Sequence, residues 1–248
     1  MNRIVEQGEI FFFYQPRAGV EEVRGLGDVA RFSLILKPDR KRKYRRVIVG
    51  RKRLPEPDRH EREWAFIDEV VDDQEKLAEE FEPRAYETKT RGIRVEPGAR
   101  PVGEARYAIV DHEGHTHLAY VLELPREPGP AQATFGIRPE ASFVMAIRNP
   151  EAEAPPGMGL PPHTRAQYPT GLMERFRGRR FAPVDDPRFL DHPGAEIVLI
   201  GAGEDVEGEL GLELNPKHLE LDTATVFRTL RLRPDELPVD PLERGQLR

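Results

Sequence analysis

The chain has 248 residues, of which 33% are charged, and a formal net charge of −6 at pH 7. This balance favours a well-solvated protein over a general nucleic-acid binder. The absence of cysteine excludes disulfides, Cys-ligated zinc, iron–sulfur clusters and thiol catalysis.

The apolar runs are all short. No segment approaches the roughly 18 apolar residues of a membrane span. The first run, residues 10–14, is shorter than the apolar region of a secretory signal. We therefore expect a cytoplasmic protein without membrane association.

In the first third of the chain, strands and one long helix are predicted. Residues 8–16, 32–38 and 45–50 are apolar runs of strand length. Residues 20–32 have helical spacing that two glycines weaken. Residues 59–81 carry an apolar stripe among charged residues, which predicts an amphipathic helix.

Further along, turn-forming residues divide the chain. Residues 83–103 are rich in Pro and Gly and predict a linker or long loop. The remaining predicted strands are 106–110, 116–124, 141–150 and 195–202. The remaining predicted helices are 164–178, 204–210 and 223–230. Residues 234–248 are rich in proline and charge and predict a frayed tail.

Segments 10–38 and 118–150 share an order of apolar strand, Pro, Arg, connector, apolar strand, basic residue and Pro. This order suggests two duplicated β-rich halves packed as a pseudo-dimer, although mixed chains also show it by chance. We therefore predict an α+β fold with mixed sheets and flanking helices. The predicted division is 1–82, 83–103, 104–233 and 234–248: an N-terminal half, a linker, a C-terminal half and a tail.

Three histidines lie close together in the hairpin 111–117. If Glu113 and Gly114 form a two-residue turn, His112 lies opposite His115, and His117 falls on the same sheet face. The opposite face then carries Tyr107, Ile109, Leu118 and Tyr120. Three neutral imidazoles can bind a divalent transition metal and activate a water molecule. The alternative is a solvated hairpin tip.

Residues 40–53 form a basic run with an interleaved tyrosine, and residues 175–180 form a second basic stretch around Phe176. Such residues can contact phosphates and stack on bases. The candidate nucleic-acid-binding residues are Arg40, Lys41, Arg42, Lys43, Tyr44, Arg45, Arg51, Lys52 and Arg53. The alternative is that the acidic segment 56–82 neutralises the run through surface ion pairs.

Other catalytic patterns are weaker. Residues 197–208 lack the third glycine of a dinucleotide fingerprint and carry acidic residues where a pyrophosphate would bind. The only serines, Ser33 and Ser142, lie inside predicted strands. A Ser–His–Asp hydrolase is therefore not favoured.

Four segments, residues 8–38, 46–55, 111–125 and 178–202, together resemble a prokaryotic protein family of about this length. That family has no assigned activity, fold or cofactor, so the resemblance implies no residue roles.

The leading hypothesis is a non-enzymatic cytoplasmic binding or accessory protein without a cofactor. Its partner is an unidentified protein or a second copy of the chain. The first alternative is nucleic-acid binding through residues 40–53. The second is a metal-dependent enzyme that uses His112, His115 and His117 with a divalent transition metal.

Overall fold

The computed structural model describes residues 2–78, 81–88, 92–153, 159–217, 219–235 and 237–247. Within these ranges the strands are β1 (Arg3–Pro16), β2 (Val29–Pro38), β3 (Tyr44–Val49), β4 (Arg62–Val71), β5 (Arg84–Thr88), β6 (Gly92–Glu96), β7 (Arg100–His112), β8 (His115–Leu124), β9 (Glu140–Arg148), β10 (Phe181–Pro183) and β11 (Glu196–Gly203). The α-helices are α1 (Gln74–Ala78), α2 (Pro130–Thr134), α3 (Thr170–Met173), α4 (Val206–Leu210), α5 (Thr225–Leu230) and α6 (Asp240–Glu243).

The main sheet is a closed antiparallel barrel. In the described part of the chain, nine strands are hydrogen-bonded in the order β10-β9-β11-β4-β3-β2-β1-β7-β8, and β8 also pairs with β9. The β8–β9 pairing, from Thr116 opposite Met145 to Val121 opposite Glu140, closes eight strands into a ring. β10 lies outside the ring and extends the sheet beside the end of β9. Strands β5 and β6 form a separate two-stranded sheet.

The predicted α+β fold with two duplicated halves is therefore wrong. The predicted first segment supplies β1 and β2 and the second supplies β8 and β9, but all four belong to one ring. β1 pairs along most of its length with β7, so both predicted halves contribute to one sheet and one interior. Residues 83–103, predicted as a linker, contain β5, β6 and the start of β7.

The predicted helix 59–81 is also wrong, because most of it is β4, followed by the short helix α1. Along β4 the burial alternates, with Ala65 and Ile67 in the interior cluster. Asp68, which follows Ile67 and is only partly buried, pairs with an arginine of the preceding strand, with Arg46 Nε 2.9 Å from its carboxylate. Pairing with β3 therefore makes this segment a strand, and the helical spacing of its apolar residues is incidental.

Other predicted elements have mixed outcomes. The seven predicted strands correspond to β1, β2, β3, β7, β8, β9 and β11, and two predicted helices correspond to α4 and α5. The predicted helix 164–178 is reduced to α3 and the 3₁₀ helix Glu174–Phe176. The predicted helix 20–32 is reduced to the 3₁₀ helix Leu26–Asp28. No described helix has the length and apolar character needed to cross a lipid bilayer.

Side chains fill the interior of the barrel. The ring of Phe12 lies 5.2 Å from that of Tyr120 in an edge-on contact and 6.5 Å from that of Phe32. Gly103, opposite Phe12 in the β1–β7 register, leaves room for this ring, since a Cβ there would lie 2.9 Å from its edge. The interior is thus an aromatic core.

Two caps close the ends of the barrel. We call the end where β2 stops and β3 starts the upper end. The 3₁₀ helix Pro187–Asp191, here named the upper plug, covers it with Phe189 and Leu190, which are both buried. At the lower end Phe135, which follows α2, stacks on Tyr14 at 5.1 Å.

The C-terminal segment covers part of the outer wall. Helix α5 and its flanks pack on Phe11 and Phe13, which point away from the interior. Glu104 anchors this layer, because its two carboxylate oxygens accept hydrogen bonds from the backbone N–H groups of Thr225 at 3.0 Å and Val226 at 2.9 Å. Burial of the carboxyl outweighs these hydrogen bonds and raises the pKa of Glu104 to about 7.

We predict that Phe12→Ala lowers the free energy of unfolding by about 3–5 kcal/mol, because it leaves a cavity in the aromatic core. Urea unfolding measures the change. On the same strand, Ile4 is 47% exposed, so the control variant Ile4→Ala should change stability by no more than about 0.5 kcal/mol. Similar losses in the two variants would contradict a filled interior.

Glu104 should make stability depend on pH. Its pKa is raised on folding, so its contribution is complete below its ordinary value of 4.5 and is lost as pH rises through about 7. The full difference is about 3 kcal/mol. In chemical denaturation between pH 5 and pH 8, Glu104→Gln should remove most of this fall, while exposed Glu207→Gln should keep the wild-type profile. Identical profiles for wild type and Glu104→Gln would exclude this role.

Candidate functional site

The upper end of the barrel contains a buried charge cluster. The guanidinium of Arg45 on β3 is fully buried and donates to both carboxylate oxygens of Glu6 on β1, the longer bond being 3.1 Å. Its Nε donates to Asp191 of the upper plug at 2.8 Å. The hydroxyl of Tyr107 on β7 donates to Glu6 at 3.0 Å. The cluster therefore ties three strands to the upper plug.

Two lysines of the β2–β3 connection complete the cluster. Lys41 lies 3.2 Å from Glu6 and Lys43 lies 2.6 Å from Asp191. Burial alone raises the pKa of Asp191, but the charges and hydrogen bonds of Arg45 and Lys43 outweigh it and hold that pKa below its ordinary value. Asp191 is thus ionised at neutral pH, and both acids form ion pairs within the chain, which suits a structural role.

The candidate nucleic-acid-binding run does not form one surface. Arg45 lies inside the barrel, and Tyr44 is 5% exposed, with its hydroxyl 3.2 Å from Gln74 Oε1. The six residues of β3 place residues 40–43 about 20 Å from residues 51–53. The predicted neutralisation by segment 56–82 is observed at the lower end, where Arg51 and Arg53 both pair with Glu61.

Four exposed arginines at the upper end come from the two predicted basic stretches. Arg40 and Arg42 are exposed in the β2–β3 connection, and Arg177 and Arg180 are exposed just before β10. Within the described residues, none of these four side chains has an ion-pair partner. We call these four arginines the cationic rim.

Both basic stretches, residues 40–53 and 175–180, contact the upper plug. Lys43, next to Arg42, pairs with Asp191 of the plug. The ring of Phe176, next to Arg177, lies 5.3 Å from that of Phe189 in the plug. Phe176 is 1% exposed, so it is part of the core and offers no ring for base stacking.

The histidine hairpin has the predicted geometry. Its turn is Glu113–Gly114, both with positive φ, and His112 lies opposite His115. The two-residue turn places the histidines on the outer face of the barrel, while Ile109 and Leu118 belong to the interior core. The rings of His112 and His117 lie 5.6 Å apart and are nearly perpendicular.

The three histidines differ in exposure and surroundings. His115 is exposed, whereas His117 is 8% exposed. Burial, together with the neighbouring His112 and His115, lowers the pKa of His117, so its imidazole is neutral at pH 7. In the described part of the chain, no three His, Asp or Glu side chains are positioned to hold a metal ion.

The structure adds two residues to this face. Ser142 on β9 donates its hydroxyl proton to Glu209 on α4 at 2.6 Å, and its Oγ lies 3.5 Å from Nδ1 of His117. Ser142 is fully buried and donates to the acid instead of to the histidine, so it is not arranged as a nucleophile. The alternation of β9 places Ser142 on the outer face, but only the β8–β9 pairing brings it near His117.

Comparison of the chain with protein-family models, with curated proteins and with solved structures finds no match.

We predict that Arg45→Met destabilises the protein by about 3–5 kcal/mol, because it removes the buried cation that binds both oxygens of Glu6 and leaves the partly exposed Lys41 as the remaining cation at that carboxylate. The double variant Glu6→Gln/Arg45→Met should recover part of this loss, since it also removes the buried negative charge. Denaturant unfolding of the single and double variants measures the coupling. The exposed control Arg62→Met should change stability by no more than about 0.5 kcal/mol. Additive losses from the two substitutions would contradict the ion pair.

Proposed function

We propose that the protein is a non-enzymatic cytoplasmic binding protein that uses the cationic rim to contact an acidic surface of a partner protein. The single observation that carries the proposal is that four exposed arginines from two distant segments border the upper plug and have no ion-pair partner among the described residues. An acidic chain without cysteine is in keeping with a cytoplasmic location.

Because the interior of the barrel is filled, a binding site is expected on the outer surface. Aromatic side chains occupy the centre of the ring, and both ends are plugged. The outer wall carries a shallow groove of about 630 Å³ that is bordered by Leu124, Leu219 and Leu221. A deep chamber that encloses most of a ligand is the usual form of a small-molecule site, and this groove lacks that form.

The contrast with the other arginines of the run 40–53 supports binding at the rim. Arg45, Arg46, Arg51 and Arg53 all form ion pairs within the chain. The rim arginines form no ion pair with the residues that the structure describes. A guanidinium binds a carboxylate through two parallel hydrogen bonds. Because the upper plug fixes both connections, the rim is presented on a rigid support, which lowers the entropic cost of association.

An acidic protein surface fits the rim better than a nucleic acid. Tyr44 and Phe176, the aromatic residues that could have stacked on bases, are both buried. Base stacking supplies much of the affinity for single strands, so the rim offers charge without a stacking platform. The net charge of −6 also opposes approach of a polyanion over the rest of the surface.

We predict that Arg40→Glu/Arg42→Glu and Arg177→Glu/Arg180→Glu each weaken binding of a labelled polyglutamate peptide by about tenfold or more, since charge reversal replaces attraction with repulsion. Fluorescence anisotropy at low and near-physiological salt measures the affinity. The matched control is Arg59→Glu/Arg62→Glu, which reverses two exposed arginines near the opposite end of the barrel.

Equal loss in the control variant, or no loss in either rim variant, would refute the proposal. A labelled oligothymidylate serves as the competing probe. If it binds more tightly than the peptide, with a salt slope near −3 for four contacts, the partner class is nucleic acid instead. Light scattering of the free protein detects self-association, in which the acidic surface of a second copy occupies the rim.

A further inference from the structure

The histidine face carries a second feature, which is independent of the cationic rim. His112 and His117 lie diagonally across the β7–β8 hairpin, and His115 lies on the same face as His117 because residues two apart on a strand point the same way. Zinc–nitrogen distances of about 2.0 Å imply that two imidazole centres on one tetrahedral metal lie about 5 Å apart. The observed separation of 5.6 Å for His112 and His117 is close to that value.

The hydrogen bond of His112 fixes its tautomer. Nδ1 of His112 lies 2.8 Å from Oδ1 of Asn2. The amide nitrogen of Asn2 donates to the backbone carbonyl of Leu210, so the oxygen of the amide is the atom that faces the ring. A carbonyl oxygen only accepts. Nδ1 of His112 therefore carries the hydrogen, and its Nε2 keeps a free lone pair.

A relay of two residues gives His117 the same tautomer. Ser142 commits its hydroxyl proton to Glu209, at 2.6 Å, and the oxygen of that hydroxyl lies 3.5 Å from Nδ1 of His117. With its proton used, the hydroxyl can only accept from the ring, which places the hydrogen of His117 on Nδ1. Metal-binding histidines in proteins have this arrangement, in which the outer nitrogen donates to an oxygen and the inner nitrogen binds the ion.

We propose that His112 and His117 bind one divalent transition-metal ion through their Nε2 atoms, with His115 turning in as a third ligand. The exposed side chain of His115 can change rotamer, and this movement is needed because the three rings are not positioned around one point in this structure. Imidazole ligands select Zn²⁺, Ni²⁺ or Cu²⁺ over Mg²⁺ or Ca²⁺. Asp111 is unsuited as a fourth ligand, since it pairs with Arg3 at 3.1 Å.

Asn2, Ser142 and Glu209 then act as positioning residues. They hold the two rings in the metal-binding tautomer without touching the ion. Substitution of such outer partners typically weakens metal binding by about 10–100-fold. Their effect separates a built site from chance proximity of surface histidines, because an adventitious pair would not depend on them.

The test uses the full chain, stripped of metal and dialysed against Zn²⁺ alone, with bound metal measured by elemental analysis and affinity by calorimetry. We expect one zinc per chain in the wild type. His112→Ala and His117→Ala should each weaken zinc binding by about tenfold or more, because loss of a ligand costs at least as much affinity as loss of a residue that only orients a ligand. The matched control His163→Ala removes an exposed histidine elsewhere and should bind as the wild type does.

Asn2→Ala supplies the second measurement and leaves the wall of the barrel intact. It should weaken zinc binding by about tenfold or more. Co²⁺ in place of Zn²⁺ should give the visible absorption of tetrahedral coordination, and this absorption should be lost in His117→Ala. No stoichiometric zinc in the wild type, or unchanged affinity in His112→Ala, would overturn the proposal whatever the cationic rim does.

Discussion

The burial of one arginine organises the upper end of this barrel. A guanidinium cannot lose its charge inside a protein, so Arg45 is tolerated there only because Glu6 and Asp191 both bind it. Asp191 belongs to the upper plug, and the ion pair therefore fixes the plug across the opening. The two carboxylates engage Arg45, Lys41 and Lys43, and the neighbouring Arg40 and Arg42 have no acidic partner in the described part of the chain. The same interaction that closes the barrel thus leaves positive charge on its rim.

The wall of the barrel is apolar on both faces along part of its circumference. The run 10–14 is buried throughout, with Phe12 inside and Phe11 and Phe13 outside. Such a strand needs a covering layer, and the C-terminal segment with α5 supplies it, while α4 covers a smaller patch on β7 and β8. The surfaces available for binding are consequently those that this layer leaves open, among them the cationic rim and the face of the histidine hairpin.

Local patterns predicted some features to the residue and missed others completely. The turn at Glu113–Gly114 and the alternation beside it determine the hairpin register, because both signals lie within a few residues of each other. The strand β4 was predicted as a helix because the decisive partners of its acids, such as Arg46, lie on another strand. The interior position of Arg45 was also unpredictable, since Glu6 is 39 residues away and Asp191 is 146 residues away. Closure of the barrel by the pairing of β8 with β9 likewise depends on residues far apart in sequence, so a local sequence pattern does not predict it.

The charge of the molecule is distributed unevenly, with exposed positive charge at the upper end of an otherwise acidic chain. The net charge of −6 opposes approach of an acidic partner to the chain as a whole. In the proposed interaction, the four exposed arginines of the cationic rim, which have no ion-pair partner among the described residues, offset this repulsion at one end. Such an asymmetry orients an approaching partner before contact and raises the rate of productive encounters. The segment between Arg180 and the upper plug also contacts the histidine hairpin. The backbone N–H of Val184 donates a hydrogen bond to the hydroxyl oxygen of Thr116 at 2.7 Å. A divalent ion on the adjacent histidines would therefore add positive charge at the end that already carries the rim, and would reinforce the same direction of approach.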